Sequence, residues 1–325
     1  MKKEKSLELC TKCGTCLSVC PSYKVFLSEA FSPRGRNFLL SQKRNHPSFN
    51  FCLFCERCKE VCPHNLSFPE FYFRSPDLKT PLLAKSLSKV LDPWLELGKA
   101  KFLRELPPKG DLLLYPSCGM FFFYNLALTR FLKFAKKEKI SFGMPKDLTC
   151  CGAPFLSWNL REEVIQRALL NLQIFEKTSQ PILMFCATCL WIFQKVYPLL
   201  FENTEYYERF LNLAQRIKSA YFFLISEFKE IASSFPKEKT IFHLPCHLTE
   251  EFNLVNTKLE VKNFCCGSAK GFLWLEGFQE RYKKFWFGNL SSSLMLATFC
   301  TGCYLTFKFL IKEPPKIGHW LEVLL

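Results

Sequence analysis

Two stretches of the chain repeat a single spacing of cysteines. Cys10, Cys13, Cys16 and Cys20 are followed by Pro21, and Cys52, Cys55, Cys58 and Cys62 are followed by Pro63. Both read C-x2-C-x2-C-x3-C-P, the bacterial spacing for [4Fe–4S] clusters. Three thiolates two residues apart line a tight loop around one cube. A short helical turn carries the fourth away, and proline redirects the chain behind it. In two-cluster proteins that fourth cysteine serves the other cluster. The expected sets are therefore Cys10, Cys13, Cys16 and Cys62 for one cube, and Cys52, Cys55, Cys58 and Cys20 for the second. A structural zinc site is the alternative, but it would use two separated pairs rather than three plus one.

The other ten cysteines form a second pattern, also used twice. Cys118, Cys150-Cys151-Gly152 and Cys186-x2-Cys189 make the first copy; Cys246, Cys265-Cys266-Gly267 and Cys300-x2-Cys303 make the second. Between the Cys-Cys pair and the C-x2-C lie 34 residues in the first copy and 33 in the second, while 31 and 18 precede the pair. This is an internal repeat with one shortened loop. Adjacent cysteines have α-carbons about 3.8 Å apart, too close for a relaxed disulfide. Two neighbouring thiolates can instead bind different irons of one cluster, and the glycine lets the backbone approach. Zinc, or a thiol redox pair in one copy, is the weaker reading.

With these 18 cysteines in 325 residues, composition limits the remaining choices. The basic start reaches Cys10 before any apolar stretch, so no secretory signal is expected and disulfides explain the cysteines poorly. No run of 18 apolar residues suggests a membrane span. Neither G-x-G-x-x-G nor a P-loop occurs, so no dinucleotide or nucleotide site is expected. The formal charge of +15 would be offset by roughly −10 from four thiolate-bound clusters. Nucleic acid is not an expected partner. The 36 phenylalanines point to a Phe-rich core.

Short apolar runs lead into the cysteines: Asp111 to Tyr115, Pro181 to Phe185, Thr240 to Leu244 and Ser293 to Phe299. They read as buried parallel strands. Helical periodicity follows Arg161, through Val164, Ala168, Leu172 and Phe175, and fills Glu205 to Glu230. The expected fold class is α/β: an N-terminal α-helical ferredoxin-type domain, then two pseudo-repeated cysteine-rich (CCG) units with parallel strands. The expected boundaries are 1–75 for the two-cluster domain, 76–110 for a helical connector, and 111–235 and 236–325 for the two repeats.

Two ferredoxin motifs followed by two CCG repeats resemble the glycolate oxidase iron–sulfur subunit family, which is related to the heterodisulfide reductase catalytic subunit. Ser32-Pro33-Arg34-Gly35-Arg36, Cys265-Cys266-Gly267-Ser268-Ala269 and the terminal His319-Trp320-Leu321-Glu322-Val323-Leu324 resemble stretches of that family. The resemblance implies a cytoplasmic electron-transfer subunit of a glycolate- or lactate-type dehydrogenase, with room for peripheral contact at the inner face of the membrane. An FAD-linked partner would take hydride, and a quinone or other carrier would receive the electrons. It further implies a non-cubane [4Fe–4S] cluster on Cys118, Cys150, Cys151, Cys186 and Cys189, and another on Cys246, Cys265, Cys266, Cys300 and Cys303. Because both CCG motifs are complete, the alternative is a catalytic subunit reducing a disulfide at such a cluster. Arg34 and Arg36 are read as counter-charges or as a solvated helix start. His247 and His319 are candidate donors to cluster sulfide, and His46 and His64 are surface residues.

Overall fold

Apolar tetrapeptides such as Leu112–Tyr115 can bury both faces only in a parallel sheet covered by helices. Two such sheets are present. The computed structural model describes residues 7–74, 96–99, 106–228, 240–249, 261–269, 294–310 and 316–325. Strands β1 (Leu112–Tyr115), β2 (Phe142–Gly143), β3 (Ile182–Met184) and β4 (Ile217–Ser219) form one sheet in the order β2-β1-β3-β4. Strands β5 (Thr240–Leu244), β6 (Val261–Asn263), β7 (Met295–Thr298) and β8 (Lys316–His319) form the other, ordered β6-β5-β7-β8. Every pairing is parallel, with Leu114 opposite Leu183 and Ile241 opposite Leu296. The repeat seen in the cysteines therefore extends to the topology.

In each sheet the connection reverses direction between the first and third strands, which opens a crevice at their carboxyl ends. Cys118 follows β1 and Cys186 follows β3; Cys246 follows β5 and Cys300 follows β7. The helix after each C-x2-C motif passes into a π-helical turn, Ile192–Val196 in one unit and Thr306–Leu310 in the other. Such turns recur at functional sites.

One expectation is corrected. Glu205 to Glu230 is not a continuous helix: helix Tyr207–Arg216 ends, β4 follows, and helix Ala220–Glu227 begins. Ile217 and Ser219 face inward with Lys218 outward, a two-residue period hidden between two helical stretches. Helix Arg161–Phe175 forms as read, burying Val164, Ala168, Leu172 and Phe175. Most of the connector at 76–110 lies outside the described residues.

The N-terminal region is built from short helices, including Pro21–Phe26, Pro33–Ser41 and Phe68–Arg74. The Ser32-to-Arg36 stretch has a local cause. The Ser32 hydroxyl caps its helix by accepting from Gly35 N at 2.9 Å, and Pro33 fills the first turn. A side chain at Gly35 would lie 2.0 Å from the Glu29 carbonyl oxygen, so only glycine fits.

Aromatic packing fastens this region to the first sheet unit. Phe54, Phe68, Tyr72 and Phe73 touch one another, and Phe73 lies 5.9 Å from the Trp191 ring. Each such pair contributes about 0.5–1.5 kcal/mol beyond its buried area. Polar bonds add direction: Arg161 donates to the Phe73 carbonyl, Tyr72 bonds Asn159, and Arg57 donates to the Asn263 carbonyl at 3.1 Å. One continuous apolar core runs through both sheet units. Among the described residues, no helix is long and apolar enough to cross a membrane.

His243 lies inside that core, fully buried on β5. Its Nε2–H donates to the Phe264 carbonyl at 2.8 Å, so Nδ1 accepts from the Thr298 hydroxyl at 2.9 Å. Burial holds its pKa down at about 4. Unfolded histidine binds its proton near pH 6.5, so stability is full above that value and falls between about pH 6.5 and 4, by about 3 kcal/mol. Thermal unfolding across this window should show a steeper fall for the native chain than for His243→Asn; parallel curves would disprove the assignment.

Candidate iron–sulfur centres

The two N-terminal cysteine loops share one backbone shape. Lys12 and Gly14 in the first, and Phe54 and Glu56 in the second, have positive φ at matching positions. Three sulfurs can face one point only if the loop coils tightly, and left-handed residues permit that turn. The second loop carries strained side chains there. Phe54 packs into the aromatic cluster, and Glu56 accepts from Trp191 Nε1 at 3.1 Å, which compensates for the strain.

Cys10, Cys13, Cys16 and Cys62 line one pocket, together with Arg34, Asn37 and His64. The fourth member thus comes from the second motif. Asn37 is buried, and its Oδ1 has no protein partner among the described residues. Cys13 is exposed at this pocket, whereas Cys20, Cys52, Cys55 and Cys58 are all buried and near enough to influence one another's ionisation. Burial pushes the Cys16 thiol up to about 11 and the Cys52 thiol up to about 12. Only a bound cation lets such groups ionise at neutral pH.

In the first sheet unit, Cys118, Cys150, Cys151 and Cys189 line a second pocket. Cys189 Sγ lies 3.4 Å from Cys151 Sγ. Cys151 is held well below its ordinary pKa by hydrogen bonds from Cys150 and Cys189, while its partner Cys150 is pushed up. Gly152 N donates to Cys150 Sγ at 3.4 Å. Gly152 itself has φ +84°, and Gly267 repeats the conformation at +75° in the other unit. The glycine of each CCG motif is thus a left-handed hinge that aims two adjacent thiols at one cavity.

In the second unit, Cys246, Cys265, Cys266, Cys300 and Cys303 all line one pocket. Its walls come from every part of the chain: Leu53 and Phe54 from the N-terminal region, and Ala153, Thr188 and Trp191 from the first unit. The Cys55 thiol hydrogen-bonds Cys265 across this junction. Cys186 does not line the first unit's pocket. It lies between the two centres, hydrogen-bonded to Cys189 and 3.9 Å from Cys300 Sγ.

The repeat makes this meeting reciprocal. Thr301 N donates to Cys186 Sγ at 3.4 Å, and Thr188 Oγ1 lies 3.0 Å from Cys300 Sγ. Each C-x2-C segment therefore serves the sulfur of the other. Ala187 N also donates to the Phe299 carbonyl at 2.9 Å. These sulfurs, cradled by backbone N–H groups and set in separate pockets, suit multi-iron clusters, whose potentials respond to such bonds.

The histidines take distinct places. His247 Nε2 donates to the Phe54 carbonyl at 2.9 Å, its ring stacks on Trp191 at 4.1 Å, and Nδ1 lies 3.2 Å from Thr188 Oγ1. It lines the second unit's pocket with the five cysteines and reaches Cys300 through Thr188. His319 donates to the Phe185 carbonyl and caps the last helix, so both its ring nitrogens are engaged by backbone. It is not a donor at the second centre. His64 is exposed, as read, and also borders the first pocket.

Lys99 was missed by sequence reasoning. It is buried, lines the first unit's pocket, donates to the Leu148 carbonyl at 2.5 Å and pairs with Glu96. No motif marks it.

Residues 6–66 match the 4Fe-4S dicluster domain family, and residues 112–194 and 240–308 each match the cysteine-rich domain family designated CCG. The chain is 24% identical to the glycolate oxidase iron–sulfur subunit of Escherichia coli, over 83% of this chain and 81% of that one. It is 26% identical to an uncharacterized iron–sulfur protein of Methanocaldococcus jannaschii, over 58% of this chain and 44% of that one. A probable glycolate oxidase iron–sulfur subunit of Bacillus subtilis matches at 31%, over 23% of this chain and 19% of that one. Fold and cysteine arrangement thus define an iron–sulfur electron-transfer subunit of an oxidoreductase, carrying [4Fe–4S] clusters. Along most of its length the chain is similar to the glycolate oxidase iron–sulfur subunits, and it carries their kind of 4Fe-4S dicluster and CCG domains.

Substituting Gly152 tests the hinge. An alanine there must adopt a left-handed backbone, costing about 1–2 kcal/mol, with its Cβ 3.3 Å from Val164 Cγ1. Gly152→Ala should lower the thermal midpoint and the iron content relative to native protein. Unchanged values in both would refute the role.

Proposed function

We propose that the chain is the electron-transfer subunit of a 2-hydroxy-acid dehydrogenase of the glycolate or lactate type. An FAD-linked partner subunit takes hydride from the substrate, and this chain passes the electrons one at a time to a quinone or another carrier. The observation that carries this reading is that sulfurs meet at both junctions of the chain: Cys55 against Cys265, and Cys300 against Cys186 at 3.9 Å. When bound, the clusters supply one-electron steps, which a two-electron organic substrate needs a flavin to feed.

The proposed ligand sets are those of the three cysteine-lined pockets, with Cys186 completing the first CCG centre, and the buried Cys20, Cys52, Cys55 and Cys58 for the inner cube. Both CCG centres are assigned five cysteines and non-cubane clusters. The proposed division of the chain is 1–75, 76–110, 111–235 and 236–325. In this scheme the protein groups hold and insulate. Leu53, Phe54 and Leu156 keep water from the second CCG pocket, while the Thr188 hydroxyl and the Thr301 N–H steady the facing sulfurs. The proposed location is cytoplasmic, with peripheral contact at the inner face of the membrane when the acceptor is a quinone.

A second reading, disulfide reduction at a CCG centre, is favoured by one feature. A polar cleft lined by Lys59, Glu60, Gln194 and Lys195 reaches Cys246 and His247, giving a small polar molecule a route to that centre.

Anaerobic analysis should return about 16 iron atoms per chain, four from each cluster. Adding glycolate or lactate to the chain with its flavoprotein partner should bleach the visible absorbance and produce reduced-cluster EPR signals. No reduction by any 2-hydroxy acid, combined with reoxidation by disulfides, would replace the first reading with the second.

A further inference from the structure

Arg36 is 1% exposed, the most deeply buried cation in the N-terminal region among the described residues. Its Nε donates to the Ser48 carbonyl at 2.8 Å and its Nη2 to the Phe51 carbonyl at 3.1 Å. The guanidinium lies 5.7 Å from the Phe68 ring centre. Ser48 and Phe51 belong to the turn Pro47–Phe51, which runs directly into Cys52. Among the described residues no carboxylate pairs with Arg36. Arg34, two positions earlier, is neutralised by Glu29 at 2.7 Å and is partly exposed.

A buried guanidinium without a carboxylate is expensive to keep, and carbonyl dipoles offset only part of that cost. Its charge is felt at the Cys52 sulfur, where it works against the effect of burial. Cys20, Cys52, Cys55 and Cys58 are all buried, whereas none of the outer set is. Burial opposes any added negative charge, so a deeply buried cube would be harder to reduce than an exposed one. A fixed cation beside it acts in the opposite sense.

We propose that Arg36 is the built-in counter-charge of the centre held by Cys20, Cys52, Cys55 and Cys58, and that it raises that centre's reduction potential. On reduction one electron arrives from an external reductant, no bond is made or broken, and the centre becomes one unit more negative. A guanidinium is a fixed positive charge, so it meets the added electron without moving a proton. The proposal rests on those four cysteines binding a four-iron cluster and is independent of the hydroxy-acid substrate.

Two variants separate charge from shape. Arg36→Gln keeps an amide donor for the Ser48 carbonyl and removes the charge; Arg36→Lys keeps the charge. The measurement is an anaerobic dithionite titration followed by EPR on full-length holoprotein, with iron counted first. The native iron count tests the ligand assignment separately, because a native chain lacking this cluster removes the premise and the proposal with it. In iron-replete Arg36→Gln, one cluster should become at least tenfold harder to reduce, about 59 mV for one electron, while Arg36→Lys stays nearer the native value. Native potentials at every cluster in Arg36→Gln overturn the proposal. If Arg36→Gln instead loses four irons, retention by Arg36→Lys upholds the charge role, and loss in both variants overturns it in favour of a structural anchor.

Discussion

The structure depends on keeping many sulfurs buried and close without oxidising them to one another. A thiolate in a low-dielectric interior is costly unless a cation shares its charge. Here Cys52 and Cys118 are pushed up to about 12 by burial. Without metal, these positions are neutral thiols packed as small hydrophobes; with metal, they are ligands. Both conditions suit apolar strand ends, where no water competes, and that is where both sheets deliver their cysteines.

Duplication accounts for the most unusual contact. Two copies of one sheet unit present the same C-x2-C segment, and the copies meet through it. Cys186 receives an N–H from Thr301, while Thr188 lies beside Cys300. Gly119 marks how close the approach is, since a side chain there would lie 2.6 Å from Thr301 Cγ2. Neither unit could lose its partner without exposing this sulfur pair, and one continuous apolar core runs through both. The N-terminal region supplies the third wall through Phe54 and Cys55.

Much of this was legible in the sequence because ligand chemistry imposes spacing. The run Cys10, Cys13, Cys16 with Cys62 carried from the second motif anticipated one pocket's lining, and the strands preceding Cys118, Cys186, Cys246 and Cys300 were readable as apolar runs. Strands β2, β4, β6 and β8 were not. They are two to four residues long, and pairing with a neighbour makes them strands more than propensity does. Tyr207–Arg216 and Ala220–Glu227 blurred into one helix for the same reason. Lys99, Trp191 and Thr188 act through contacts between distant segments, which no local pattern encodes. Arg36 was visible as a possible counter-charge, but its burial beneath the Cys52 turn is a tertiary fact.

Burial is graded along the molecule, and the grading has a physical consequence. Cys13 is exposed and Cys10, Cys16 and Cys62 are partly so, while Cys20, Cys52, Cys55 and Cys58 are covered. Four of the five cysteines of the second CCG centre are likewise buried, and its pocket is bounded by all three parts of the chain. Solvent stabilises the more negative, reduced form of any cluster near the surface, so identical clusters on these ligands would not be isoenergetic. Fixed charges then decide how steep the gradient becomes. Arg34 is offset by Glu29 at the exposed end and Lys99 by Glu96 at the first CCG pocket, leaving the buried centre between them with the uncompensated cation. A gradient set by solvent alone would make that centre a barrier to electron movement; a cation placed where solvent is missing lowers it.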